Sequence, residues 1–152
     1  MPDIKRTESS DPDFVALVKL LDQDLAIRDG DEHSFYAQFN KIDAIKHCMV
    51  AYEDGIPAAC GAIKSFSYDT MEVKRMFVKP DFRRLGLAST VLAELEKWAA
   101  ELGYRYCVLE TGKKQPEAIA LYSKQGYELI PNYGQYANVE NSVCMRKKVN
   151  RQ

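Results

Sequence analysis

Two arginines and a glycine within six residues, Arg83-Arg84-Leu85-Gly86-Leu87-Ala88, carry the strongest chemical signal in the sequence. A glycine in a loop that opens a helix lets several backbone N–H groups converge on one point. With the positive end of the helix dipole and the arginine charges, they make an anion site suited to phosphate. Two nucleotide patterns, GxxxxGK[ST] and GxGxxG, are absent, which leaves Arg83-x-x-Gly86-x-Ala88. Two carboxylates, Glu72 and Glu110, lie on the strands to either side of this segment, and each is suited to an ion pair with Lys74 or Arg75. The two histidines, His33 and His47, offer neither a metal pair nor a triad. None of Cys48, Cys60, Cys107 and Cys144 has metal-ligand spacing, so no metal is expected.

The elements that must position these groups follow from periodicity. Residues 3–7 suggest a first strand. Asp11 is a helix cap with Pro12 at the first helical position, and Phe14, Leu17, Val18, Leu20 and Leu21 continue at helical spacing. Residues 34–41 predict a second short helix or an aromatic loop. Strands are expected at 47–53 and 56–66, joined by the hairpin signal Asp54-Gly55, and again at 71–78. Gly86 to about Leu102 is the best helix: Leu87, Val91, Leu92, Leu95, Trp98, Ala99 and Leu102 form its apolar stripe. Glu94, Glu96, Lys97 and Glu101 are expected to face solvent. A strand at 106–111, a helix from Pro116 closed by Gly126, and strands at 127–130 and 142–147 complete the pattern. Residues 131–141 read as a polar loop. The strand at 71–78 is unusual. Strict alternation puts Met71, Val73, Arg75 and Phe77 on one face and Glu72, Lys74, Met76 and Val78 on the other, with charge on both. A bulge would change that assignment near Arg75.

A chain of 152 residues is expected to form one domain with a real core. Its apolar fraction of 46% and charged fraction of 28% are ordinary for a globular protein. The formal net charge of -1 gives no general attraction to nucleic acid or anionic membrane. No run approaches a membrane span, and residues 1–10 lack a signal-peptide core. The cytoplasm is therefore the expected compartment, with all four cysteines as reduced core thiols.

Three linked segments resemble the GNAT superfamily of acetyl-CoA-dependent N-acetyltransferases over residues 45–147. They are Glu72-Val73-Lys74-Arg75-Met76-Phe77-Val78 followed by Pro80, then Arg83-x-x-Gly86-x-Ala88, then Gln115-Pro116-Glu117-Ala118-Ile119-Ala120-Leu121-Tyr122 followed by Gly126-Tyr127. The resemblance implies an α/β (α+β) fold. Its mixed, mostly antiparallel central sheet of about six to seven strands is flanked by helices, with a V-shaped splay at the central strands. It implies acetyl-CoA as cofactor, its pyrophosphate held by Arg83, Arg84, Leu85, Gly86, Leu87, Ala88 and Ser89. The backbone of Met76, Phe77 and Val78 would meet the acyl and pantetheine part, with Gln115 and Ala118 also on the cofactor. Gln115 stands where the family usually has asparagine.

Tyr122 matches the family's tyrosine facing the CoA sulfur, the general-acid candidate. Glu72, Glu110 or a water chain is the base, and a backbone N–H of Met76 or Phe77 polarises the carbonyl. The acceptor side falls on Tyr36, Phe39, Tyr133 and Tyr136, an aromatic and polar set that fits the amine of a small molecule or peptide better than a polycation. The implied activity is direct transfer in a ternary complex, without nucleic acid or membrane partners. The rival is a non-catalytic acyl-CoA-binding regulatory module on the same fold. The oligomeric state is not readable, although many members of the family form dimers.

Overall fold

Strands with alternating or continuous apolar character assemble into one seven-stranded sheet in the computed structural model, which describes residues 2–29 and 44–149. The strands are β1 (Asp3–Thr7), β2 (His47–Glu53), β3 (Ile56–Ser67), β4 (Thr70–Val78), β5 (Tyr106–Gly112), β6 (Glu128–Ile130) and β7 (Ser142–Lys148). The helices are α1 (Pro12–Asp29), α2 (Leu87–Glu101) and α3 (Pro116–Lys124). Sheet order is β1-β2-β3-β4-β5-β7-β6, and every pairing is antiparallel except β4 with β5. A parallel pair needs a long crossover, and α2 supplies it. The expected mixed sheet with a strand–helix–strand crossover is therefore observed.

Each face of the sheet has its own apolar cluster. On one, Phe14, Leu17, Val18 and Leu21 of α1 pack on Cys48, Val50, Cys60, Ala62 and Phe77. On the other, Leu87, Val91, Leu92, Leu95 and Ala99 of α2 pack on Met49, Ile63, Met71, Val73 and Leu109, and Tyr122 of α3 joins them. Asp11 starts α1 as its spacing predicts: its Oδ1 accepts the N–H groups of Asp13 at 2.8 Å and Phe14 at 3.3 Å. Two details of the predicted stripe differ. Leu102 falls just beyond α2 and is exposed, and Glu96 turns inward to meet Lys147 Nζ at 2.8 Å. Gly61 lets α2 approach β3, since a Cβ there would stand 2.6 Å from Met76 Sδ and 2.8 Å from Leu95 Cδ1.

Two departures from regular pairing shape the centre of the sheet. β4 and β5 pair only through Thr70–Tyr106, Met71–Cys107 and Glu72–Val108. Beyond Glu72 they part, β4 staying with β3 and β5 with β7, which makes the splay. The second is a bulge. Cys60 pairs with Phe77 and Ala62 with Lys74, so Gly61 alone opposes Arg75 and Met76. Arg75 has φ 62, a left-handed conformation costing a non-glycine residue on the order of 1–2 kcal/mol.

The bulge corrects the alternation expected for β4. Met71 and Val73 face α2, and so do Met76 and Val78, whereas Phe77 belongs to the α1 side. Glu72, Lys74 and Arg75 line one cavity together. The charges of β4 thus gather in one place rather than dividing between two faces.

Candidate active site

The loop from β4 to α2 is built by backbone geometry. A short 3-10 turn, Pro80–Phe82, is followed by Arg83 in extended conformation, Arg84 at φ 68 and Gly86 at φ 77. Gly86 is the N-cap residue of α2 and has no side chain to cap it. The Gly86 carbonyl accepts Thr90 N–H at 3.0 Å and Thr90 Oγ1 at 2.9 Å, which fixes the first turn. The N–H groups of Leu87, Ala88 and Ser89, in that first turn, have no acceptor within the helix. A Cβ built on Gly86 meets nothing within 4 Å, so the approach to these donors is open. Arg83 is drawn back along the cavity wall, its Nε donating to Val78 O at 3.0 Å and its guanidinium 5.9 Å from the Phe77 ring.

This loop ends on a cavity of about 250 Å³ lined by Met76, Phe77, Val78, Arg83, Ala88, Gln115, Ala118 and Tyr122, with Leu21 and Asp24 of α1 closing it. Of the other residues predicted on the cofactor, Arg84, Leu85 and Gly86 are exposed on the loop. The Leu87 side chain is buried in the core, so only its backbone is available. The Ser89 hydroxyl accepts from Gln125 Nε2 at 3.2 Å, tying the start of α2 to the end of α3.

A second cavity of about 140 Å³ fills the splay between β4 and β5. It brings together Glu72, Lys74, Arg75, Glu110, Thr111 and Tyr136 under Leu21 and Leu25. Met76, Gln115, Ala118 and Tyr122 line both cavities, so the two are lobes of one cleft that meet at Tyr122. Tyr122 is buried, its ring edge-on to Tyr127 at 5.8 Å. Burial, and after it the Glu110 carboxylate, push its phenol well above the ordinary value.

Both candidate carboxylates are held. Glu72 Oε2 accepts Tyr133 Oη at 2.7 Å, and its Oε1 lies 3.7 Å from Lys74 Nζ. Glu110 Oε2 accepts Ser142 Oγ at 2.6 Å. Arg75 Nη1 lies 3.7 Å from Asp22 Oδ1 of α1. Tyr133 stacks edge-on between Phe66 at 4.9 Å and Tyr136 at 6.0 Å. Burial, then Glu110 and Glu72, push the Tyr136 phenol upward, so this ring stands near both carboxylates. Tyr36 and Phe39 lie outside the described residues.

Sequence reasoning missed several walls. Leu21 and Leu25 continue the helical spacing of α1, and that spacing was the available signal. Ser142 had none: it reaches Glu110 because Gly112 pairs with Ser142 across β5 and β7. Among the described residues no group of three His, Cys, Asp or Glu side chains could hold a metal ion. The four cysteines are buried, unbridged thiols. Burial pushes Cys48 and Cys107 up to about 12 and raises Cys60 and Cys144 too, so they stay protonated.

A splayed mixed sheet carries an open helix N-terminus at one mouth of its cleft and carboxylates at the other. Residues 14–127 match the model of the Acetyltransferase (GNAT) family, and the chain belongs to that family. It is 38% identical over 103 residues to an IAA acetyltransferase of Azospirillum brasilense. That match covers 65% of this chain and 65% of the relative, so it spans just under two thirds of the relative's length. A Klebsiella pneumoniae protein assigned as an acyl-CoA N-acyltransferase superposes with a TM-score of 0.81 at 29% identity, over 98% of each chain. The PaiA N-acetyltransferase of Thermoplasma acidophilum, crystallised with coenzyme A, shares the fold. Its TM-score is 0.72 at 17% identity, over 97% of this chain and 99% of that one.

Proposed function

We propose that the protein is an N-acetyltransferase that moves an acetyl group from acetyl-CoA to a primary amine by direct attack in a ternary complex. The observation that carries this reading is the two-lobed cleft meeting at Tyr122, with an open helix N-terminus on one lobe and two held carboxylates on the other.

The donor lobe fits acetyl-CoA. The N–H groups of Leu87, Ala88 and Ser89 would receive the pyrophosphate, with Arg83 and Arg84 adding charge. Met76, Phe77, Val78, Gln115 and Ala118 would flank the pantetheine arm. When bound, acetyl-CoA supplies an activated acyl group on a thiolate leaving group. Because β4 leaves β5 after Glu72, backbone N–H groups of Met76 and Phe77 are suited to polarise the thioester carbonyl.

Tyr122 keeps its proton across the working pH range, since its phenol titrates far higher. An ordinary thiol titrates near ~8.5, so full transfer from so weak an acid is uphill. Tyr122 therefore acts best by donating a hydrogen bond to sulfur as charge builds there. Of the two carboxylates, Glu110 acts electrostatically on Tyr122. Acid and base must flank the same reacting atoms, which favours Glu110 as the group that removes the ammonium proton. Glu72, bound by Tyr133 and near Lys74, is better suited to orient the acceptor.

The test is a calorimetric titration with CoA, followed by thiol release from acetyl-CoA across an amine panel. Binding with amine-dependent thiol release supports the reading. Binding without release from any amine leaves a regulatory acyl-CoA module instead.

A further inference from the structure

We propose that Tyr127 is a positioning residue whose ring directs the Tyr122 phenol toward the reacting sulfur; this rests on the acetyltransferase reading above. The end of α3 creates the contact. Gln125 is the C-cap of α3, and Gly126 follows it at φ 97. The Gly126 N–H donates to Ser123 O at 3.1 Å, and the Tyr127 N–H donates to Tyr122 O at 3.0 Å. These paired bonds make a Schellman ending, in which a left-handed glycine turns the chain back on its helix. Such an ending commonly sets the second residue past the cap against the third residue before it. In α3 those two residues are Tyr127 and Tyr122.

The contact bears on what Tyr122 has to do. The outer side-chain torsion of a tyrosine has a broad minimum, so its neighbours set the ring plane. A phenol O–H prefers to lie in that plane, so the plane sets which way the proton points. The Tyr127 ring meets the Tyr122 ring edge-on, 5.8 Å between centres and 64° between planes. An edge-on neighbour resists both rotation of the ring about its own axis and tilting of the whole side chain. Tyr122 lines both lobes, so a change in its tilt moves its oxygen relative to both.

Tyr127 is itself clamped. It is buried in the cluster between α2 and the sheet. Lys147 of β7 closes over it, with Nζ 5.9 Å from the ring centre and 2.8 Å from Glu96 Oε1 of α2. The Lys147 stem also crosses the turn, since a Cβ on Gly126 would stand 3.5 Å from Lys147 Cε. An ion pair between α2 and β7 thus holds the ring that touches Tyr122. The Tyr127 hydroxyl is buried and meets no partner at hydrogen-bond geometry among the described residues. The ring, not the hydroxyl, is therefore the part that positions Tyr122.

The experiment follows thiol release by the full chain from acetyl-CoA, with whichever amine of the panel reacts fastest, beside CoA affinity by calorimetry. Tyr127→Leu should lower kcat about tenfold and leave the CoA dissociation constant and the acceptor KM within about twofold. Tyr127→Phe, which keeps the ring, should restore kcat to within about twofold of the wild type. In a Tyr122→Phe background Tyr127→Leu should lower kcat no further, because the proton it directs is gone. If Tyr127→Leu does not fold, Tyr127→Met fills the space without a ring and takes its place. A kcat unchanged in the ringless variant overturns the proposal, as does a tenfold loss that recurs in the Tyr122→Phe background. Failure of Tyr127→Phe to restore kcat, or a fall in CoA affinity as large as the fall in kcat, also overturns it. Each of these leaves the acetyltransferase reading standing, because the wild type still turns over. No thiol release by the wild type with any amine, with CoA binding intact, removes that reading and this proposal together.

Discussion

Under the proposed function, the two lobes of the cleft would solve recognition in opposite ways. The donor lobe would rely on main chain: the first turn of α2, the turn through Arg84 and Gly86, and the stretch of β4 that β5 leaves after Glu72. The acceptor lobe would rely on side chains carried by α1, β4, β5 and α3 and by the segment before β7. A backbone site needs permissive residues at a few consecutive positions, so it leaves a compact trace in sequence. A side-chain site needs elements brought together by register and packing, and its residues are scattered.

The sharpest way to break this comparison is at the junction. Tyr122→Phe should lower kcat about 100-fold, the lower end of the range for losing a proton-donating group, and leave the CoA dissociation constant within about twofold. Steady-state kinetics beside calorimetry reads both. A kcat unchanged by the substitution would remove Tyr122 from the chemistry and turn the junction into packing. The next effect belongs to the donor lobe. At φ 77, Gly86→Val forces a β-branched residue into left-handed backbone, a strain on the order of 2 kcal/mol. CoA affinity should fall at least about 30-fold while the fold persists, since no atom lies within 4 Å of the new Cβ. Normal affinity in a folded Gly86→Val variant would refute the loop as the donor site.

What the sequence made legible follows the same division. The hairpin at Asp54-Gly55, the cap at Asp11 and the α2 stripe from Leu87 to Ala99 are local, and each stands where its spacing put it. Strand bounds agree to within a residue or so because turn chemistry lies close beside each of them. The faces of β4 were not legible. Alternation assumes extended backbone throughout, and nothing in Lys74-Arg75-Met76 announces that Arg75 turns left-handed. Glu96 was misassigned to solvent because its partner, Lys147, arrives from β7 at the far end of the chain. Tyr133 was expected on the acceptor side from sequence, but its bond to Glu72 depends on how residues 131–141 fold back over β4.

That bond gives a smaller test confined to the acceptor lobe. Tyr133→Phe removes the donor to Glu72 while keeping the ring that contacts Phe66 and Tyr136. A hydrogen bond to a charged group is worth about 1.5–3 kcal/mol, of which solvent replaces part here. The expected loss is about fivefold in kcat/KM for the acceptor, with CoA affinity unchanged. A comparable loss of CoA affinity would mean that the two lobes are not independent.

The smallest expected effect concerns the wall they share. Leu21 of α1 lines both lobes, and α1 begins at Asp11. Burial alone would raise the Asp11 carboxyl. Hydrogen bonds from Lys5, Thr7, Asp13 and Phe14 outweigh it and hold the group at about 2, against 3.8 when unperturbed. The folded state therefore favours the carboxylate. The stabilisation is fully present above the unfolded value and is lost as pH falls from ~4 toward ~2. Asp11→Ala should cost about 1 kcal/mol at neutral pH, the usual worth of an N-cap, and should flatten the wild type's loss of stability across that acid window. Urea unfolding at pH 7 and pH 3 measures both. Because α1 lines both lobes, under the proposed function any loosening it causes should weaken CoA and acceptor binding in the same proportion. Weakening of one alone would show that α1 serves only that lobe.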